Sequence, residues 1–223
     1  MNVFSAIILG AGSGNRMGGI DKILTEISGL PAILHSVNTF LEVGIFQTTI
    51  VLATTDNIAQ LKYLMSGPEY ESVHVALGGE KRQDSVKIGL DRIKSSDYVM
   101  IHDGARPCLS PALIRRAIVA SETSDAAIPV VPITDTVKML DDSTVISTVD
   151  RSSLYASQTP QVFRYKTIAE LHLKLTSDVT DDAAIIEIDG GRVATFEGDP
   201  ENIKMTNPLD IEIAEIILNR RKN

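Results

Sequence analysis

The stretch Ala6-Ile-Ile-Leu-Gly-Ala-Gly-Ser-Gly-Asn-Arg-Met-Gly-Gly-Ile-Asp-Lys22 decides how this chain is read. A run of buried-strand character, Ala6–Leu9, passes directly into a glycine-rich loop that carries Arg16 and then Lys22. Glycine lets backbone N–H groups come close to a phosphate, and a neighbouring cation offsets its charge. A first strand that empties into such a loop places it at the carboxyl edge of a sheet, where open α/β folds bind ligands. The pattern points to a triphosphate.

Two commoner phosphate loops are excluded by spacing. A P-loop requires Gly-Lys-Ser/Thr at its end, and that tripeptide does not occur in the chain. A dinucleotide loop requires Gly-x-Gly-x-x-Gly. Counted from Gly10 and Gly12 the third glycine falls on Asn15, and counted from Gly12 and Gly14 it falls on Met17. A plain tight turn accounts for the glycines alone. It does not account for Arg16 and Lys22, because a bare turn needs no cations.

Outward from this loop, short apolar runs alternate with helical patterns. Strand-like runs are Ala6–Leu9, Thr49–Ala53, Val73–Leu77, Tyr98–His102, Ala126–Val131 and Val193–Phe196. Helical spacing covers Pro31–Val43, with Gly44 after its end, and Asp84–Lys94. Ser110-Pro111 reads as a cap and first helical position for Ala112–Ala120, Thr180-Asp-Asp opens another helix, and Leu209–Asn219 forms the last. Such alternation predicts an α/β fold, a mostly parallel twisted sheet flanked by helices. One region breaks the rhythm. Ile133–Ser153 alternates polar and apolar residues around Asp141-Asp-Ser143, a β-hairpin signal with too few apolar residues for its own core. It is expected to project as a β-arm, an insertion at about 134–153 in a single domain spanning 1–223. A lone two-stranded arm is marginal in water, and packing on a second subunit is one remedy.

Composition narrows the function classes. The 223 residues are enough for a sizeable core. The net charge of −8, the absence of Trp and the 4% aromatic content argue against nucleic acid as a partner. No apolar run reaches membrane-spanning length and no signal peptide is legible, so no membrane association is expected. A single cysteine, Cys108, fits a reducing cytoplasm. His35, His74, His102 and His172 are scattered and give no zinc spacing.

Four further segments carry chemistry. In Gly78-Gly-Glu-Lys-Arg-Gln-Asp-Ser-Val86 a glycine pair meets a helix start, where a base edge and an anion can be held, although a loop with an Asp cap explains it equally well. In Met100-Ile-His-Asp-Gly-Ala-Arg-Pro107 a strand ends at Asp103, which is suited to a substrate hydroxyl or Mg²⁺, or to a local pair with Arg106. His102 reads as a packed residue. In Arg151-Ser-Ser-Leu-Tyr-Ala-Ser-Gln-Thr-Pro-Gln-Val-Phe163 the Thr159-Pro160 pair fixes an extended or turn segment, and a polar loop is the simpler reading. In Gly198-Asp-Pro-Glu-Asn-Ile-Lys-Met-Thr-Asn-Pro-Leu-Asp210, Lys204 stands between two prolines, interesting as a fourth cation beside Arg16, Lys22 and Arg151.

Taken in order, these five segments resemble the 2-C-methyl-D-erythritol 4-phosphate cytidylyltransferases, from about Ser5 to Ile216. The resemblance rests on Gly-Ala-Gly-Ser-Gly-Asn-Arg-Met-Gly with Lys22, on Gly79, Arg82 and Ser85, on His-Asp-Gly-Ala-Arg-Pro, on Arg151 with Gln-Thr-Pro-Gln-x-Phe, and on Asn202-Ile-Lys-Met-Thr206. One position departs: the family's Pro-Lys-Gln is Asp21-Lys22-Ile23 here.

The resemblance implies a Rossmann-like nucleotidyltransferase that moves CMP from CTP to methylerythritol phosphate in the non-mevalonate isoprenoid route, with Mg²⁺ or another divalent cation. It assigns Arg16, Lys22, Arg151 and Lys204 to catalysis. Ala11, Gly12, Gly14, Gly79, Arg82 and Ser85 fall to the nucleotide, and Asp103, Arg106, Thr136 and Thr159 to the polyol phosphate. It also implies a homodimer in which the arm crosses over, so that Thr136, Arg151 and Thr159 come from the partner. Three alternatives stay open: a ribitol-5-phosphate cytidylyltransferase, a sugar-phosphate nucleotidyltransferase using UTP or GTP, and a nonenzymatic nucleotide-binding regulator.

Overall fold

In the computed structural model of the chain, residues 2–11 and 21–222 are described. The centre of the fold is β1 (Phe4–Leu9), buried along its whole length. Its side chains alternate between two cores, as strand geometry dictates. Phe4, Ala6 and Ile8 pack with α1 (Ala32–Val43) and α4 (Pro111–Ser121). Ile7 and Leu9 pack with α3 (Arg82–Arg92), α5 (Tyr165–Lys174) and α6 (Ala183–Ile188). A strand covered on both faces reads as an unbroken apolar run, which is why Ala6–Leu9 was legible.

β1 is flanked by β4 (Phe46–Ala53) and β6 (Tyr98–Asp103), both parallel to it, and β5 (Val73–Leu77) extends the parallel set beyond β4. On the other side the sheet is mixed. β11 (Gln161–Arg164) runs antiparallel between β6 and β7 (Ala126–Pro132), β10 (Tyr155–Ser157) runs antiparallel to β7, and β12 (Ala194–Glu197) pairs parallel with it. The order is β10-β7-β11-β6-β1-β4-β5 with β12 on β7. The polar appearance of Gln158-Thr-Pro-Gln161 hid β10 and β11, so the segment predicted as a polar loop enters the sheet.

Local end signals behave as expected. Gly44 closes α1 in the left-handed region, with φ 71°. Ser110 Oγ accepts the Leu113 N–H at 3.3 Å, and Pro111 is the first helical residue of α4. α2 (Ile58–Leu64) and the small ladder of β2 (Glu26–Ile27) with β3 (Leu30–Pro31) were not anticipated. The last helix, α7 (Pro208–Lys222), covers a third cluster of Ile27, Ala32, Cys108 and Met205.

The arm is present. β8 (Lys138–Asp141) and β9 (Thr144–Thr148) form a separate hairpin, turned at Asp142 with φ 47° and exposed along both strands. Among the described residues no helix is long and apolar enough to cross a membrane.

Candidate active site

The chain runs outward from β1 to β4 and β5, then crosses back to β6 on the other side of β1. The point where strand order reverses, between β1 and β6, is where open α/β sheets leave a ligand crevice. Leu9 and Asp103 are paired residues there, and the Gly104 N–H donates to the Leu9 carbonyl at 2.9 Å. Gly10 donates to the Leu52 carbonyl at 2.7 Å, and a Cβ at Gly10 would lie 2.7 Å from Ile23 Cδ1. Close approach therefore demands glycine at the loop's first position. Gly12, Gly14 and Arg16 lie outside the described residues.

The expected nucleotide residues that are described meet beside this loop. A Cβ at Gly78 would lie 2.6 Å from Ala11 Cβ and 2.7 Å from Ser85 Oγ, so the β1 and β5 loops touch. Ser85 is buried. Its hydroxyl accepts the Gly79 N–H at 3.0 Å and lies 3.2 Å from the Lys81 carbonyl. Ser85 thus shapes the glycine turn from inside. Asp84 accepts the Lys81 N–H at 3.1 Å, which fixes the start of α3 and places Arg82 on its first turn.

Asp103 is the hub. Lys204 Nζ lies 2.7 Å from one carboxylate oxygen and Arg82 Nε 3.4 Å from the other. Arg82 reaches further, and its Nη1 donates to Asp182 at 2.7 Å. Burial alone would favour the neutral acid at Asp103. The charges of Arg82 and Lys204 outweigh burial and hold the carboxyl well below the usual carboxylate range. Arg82 in turn is held more firmly protonated: burial opposes its charge, but Asp182 and Asp103 reverse that effect. Arg106, weighed as a local partner of Asp103, donates instead to the Asn202 carbonyl at 2.8 Å and adds a longer-range positive charge.

Behind Asp103 lies a second layer. Thr159 Oγ1 accepts the Asp103 N–H at 3.1 Å and sits 3.0 Å from His102 Nδ1, while Asn202 Nδ2 donates to the Thr159 carbonyl at 2.7 Å. His102 is fully buried edge-on to Phe40, and burial pushes its pKa down to about 4. It is a packed neutral residue, as expected. The resemblance implied that Thr159 arrives from a partner subunit. The structure corrects this, because β11 pairs with β6 and brings the Thr159-Pro160 turn to Asp103 within one chain. Thr159 is also buried, so its hydroxyl orients the Asp103 backbone.

Lys22 lies in the turn that follows the glycine loop, and the departure at Asp21 has a structural counterpart. Asp21 Oδ1 accepts the Ile23 N–H at 3.1 Å, Oδ2 accepts Asn57 Nδ2 at 2.9 Å, and its carbonyl accepts the Thr25 N–H at 3.0 Å. Asn57 is buried directly before α2 and accepts the Thr54 N–H at 2.8 Å. A carboxylate thus restrains the backbone where the family uses a proline ring.

Arg151 and Thr136 stand apart from this cluster. Both are exposed at the base of the arm, where Arg151 Nη1 donates to the Thr134 carbonyl. Asp103 does not suit a metal, since each of its oxygens faces a cation. Among the described residues no group of three His, Cys, Asp or Glu side chains is arranged to hold an ion. Sequence reasoning missed Asp182, Asn202 and Asn57. Asn202 lay inside a motif already singled out and Asp182 read as an ordinary helix opener, whereas Asn57 precedes α2, a helix the sequence did not reveal.

The sequence profile of the 2-C-methyl-D-erythritol 4-phosphate cytidylyltransferase family matches residues 4–220. A Bacillus licheniformis protein of that name is 34% identical over 224 residues, covering 98% of this chain and 97% of its own. The bifunctional enzyme IspD/IspF of Nitrobacter hamburgensis is 42% identical over 215 residues, covering 92% of this chain and 53% of that protein. A crystal structure of 4-diphosphocytidyl-2C-methyl-D-erythritol synthase from Anaerococcus prevotii is similar with a TM-score of 0.86 at 30% identity, covering 98% of this chain and 99% of that one.

Proposed function

The chain belongs to the 2-C-methyl-D-erythritol 4-phosphate cytidylyltransferase family, and from that premise we propose how its residues divide the work. The chain is a cytidylyltransferase of the non-mevalonate isoprenoid route: it transfers CMP from CTP to methylerythritol phosphate. A phosphate oxygen of methylerythritol phosphate attacks the α-phosphorus of CTP. The new P–O bond forms as the bond to the β-phosphate breaks, and pyrophosphate leaves with the electron pair. A phosphate monoester is already anionic near neutral pH, so the nucleophile needs no general base. The work left to the protein is in-line placement and charge neutralisation.

The observation that carries the assignment is the grip of Lys204 and Arg82 on Asp103, one on each oxygen, at the β1–β6 switch point. An ionised Asp103 accepts hydrogen bonds from polyol hydroxyls. An ammonium has three donors, so Lys204 can hold Asp103 and still meet an incoming phosphate. Arg106 and Arg151 add positive charge on that side, with Thr136 as a hydroxyl donor. Arg16 and Lys22 are assigned to the triphosphate by the family resemblance. Ala11, Gly12, Gly14 and Gly79 are assigned to the nucleotide by the same resemblance, with Ser85 holding the Gly79 turn. A divalent cation bound with CTP would offset phosphate charge; Asp103, engaged by Lys204 and Arg82, would not be its ligand.

Thr136 and Arg151 complete the site when a second copy packs on the arm, whose Met139, Leu140, Val145 and Ile146 are 53–60% exposed. A cytoplasmic setting suits the lone Cys108 thiol, which burial pushes up to about 11. The deciding experiment is pyrophosphate release from CTP with methylerythritol phosphate against ribitol 5-phosphate. Preference for the former is expected. Equal or greater turnover of ribitol phosphate, or CTP binding without release, would overturn it.

A further inference from the structure

We propose that Asp182 is a positioning residue: it holds the Arg82 guanidinium against Asp103 and so sets the polyol-phosphate half of the site. The inference rests on the assignment of Asp103 and Lys204 to that half.

Asp182 is fully enclosed, directly before α6, and its nearest cation is Arg82 at 2.7 Å. The position is that of a helix cap, yet Asp182 makes no side-chain cap hydrogen bond. Its neighbour Asp181 does that work, accepting the Ala184 N–H at 3.1 Å. The two adjacent aspartates therefore have different tasks, and the Asp182 carboxylate turns inward to the arginine. Its second oxygen faces buried His172 Nε2 at 3.4 Å, a contact too poorly aligned to satisfy either atom as a hydrogen bond. Arg82 is accordingly the principal partner of a carboxylate sealed from water, and such a group binds its counter-charge strongly.

The guanidinium is a rigid planar fork with donors on more than one edge. One end is anchored on Asp182 while Nε remains aimed at Asp103, whose other oxygen holds Lys204. Charges alternate in sequence: Lys204, Asp103, Arg82, Asp182. With a neutral residue at 182, Arg82 is free to turn fully onto Asp103 and compete with Lys204 and the polyol hydroxyls for the same oxygens.

The test is steady-state kinetics of Asp182→Asn with each substrate varied in turn. The KM for methylerythritol phosphate should rise about tenfold, the scale of one charge-assisted hydrogen bond, with the KM for CTP unchanged. Unchanged values for both substrates, or an equal rise in both, would overturn the proposal. Asp182→Asn removes one of the two counter-charges of half-buried Arg82 and can impair folding. Arg82→Met and the double variant Arg82→Met/Asp182→Asn then carry the test, since removing both charges of a buried pair is better tolerated than removing one. Equal KM values in the two support action through Arg82; a further rise in the double variant refutes it. Asp103→Asn separates the underlying assignment: if it leaves the KM for methylerythritol phosphate unchanged, the assignment itself fails, whereas a large effect of Asp103→Asn with none from Asp182→Asn removes the present inference alone.

Discussion

Lys204 Nζ and Asp103 Oδ2 lie 2.7 Å apart although 101 residues separate them in the chain. The pair joins the end of β6 to the loop before α7 and sets an ammonium beside the switch point. Lys204→Met should reduce kcat/KM for methylerythritol phosphate by at least about a hundredfold, the loss that follows removal of one preorganised charge donor. Wild-type turnover in a coupled pyrophosphate assay would show that this ammonium does not serve the reaction.

Asp21 restrains the backbone of the turn that carries Lys22. Asp21→Ala removes the acceptor of both the Ile23 N–H and Asn57 Nδ2. A hydrogen bond of this kind contributes about 1 kcal/mol net, so kcat/KM for CTP should fall roughly five- to thirtyfold. Asp21→Asn retains one acceptor oxygen and should fall less. Lys22→Ala sets the upper scale, at about a hundredfold or more. Identical kinetics for Asp21→Ala and wild type would show that the turn is held without the carboxylate.

Under the proposed function the arm serves assembly. Deleting residues 137–149 should convert dimers to monomers in sedimentation and abolish turnover together, since Arg151 and Thr136 would no longer be delivered to a partner. A monomer with full activity would separate the arm from the site.

His102 predicts a pH dependence with a definite sign. Its folded-state pKa lies at about 4, below the ordinary 6.5. Between these values the unfolded chain binds the proton and the folded one does not, so stability rises with pH across that interval and is lost as the medium is acidified from 6.5. Urea midpoints measured from pH 7 to pH 4.5 should fall less for His102→Gln than for wild type. Parallel midpoints would show that the imidazole is protonated in the fold. Asp103 acts lower: its depressed pKa stabilises above the ordinary carboxylate range of about 4 and ceases to do so as pH drops beneath it.

Local signals were readable and distant ones were not. The β1 loop, the Ser110 cap, Gly44 and the Asp141–Ser143 hairpin depend on residues within a few positions of one another, so their spacing alone revealed them. Arg82 and Asp182 are 100 residues apart, and nothing near either one marks the other. β11 escaped because a short strand inserted antiparallel between β6 and β7 carries a polar Gln161 and no alternation long enough to register. Thr159 was assigned to the wrong chain for the same reason: its location follows from β11 pairing, which the sequence does not advertise.

The two-sided packing of β1 also sets the spacing of the chemistry. Ile7 and Ile8 belong to opposite cores, so the strand cannot slip by one residue against β6 without sending each side chain into the other's core. A single-residue insertion in either strand would therefore offset the phosphate loop from Asp103 and scramble the interior in the same stroke. Reach between the triphosphate and the polyol is thereby locked to the parity of a buried strand, and a change in that distance would require a new fold rather than a new loop.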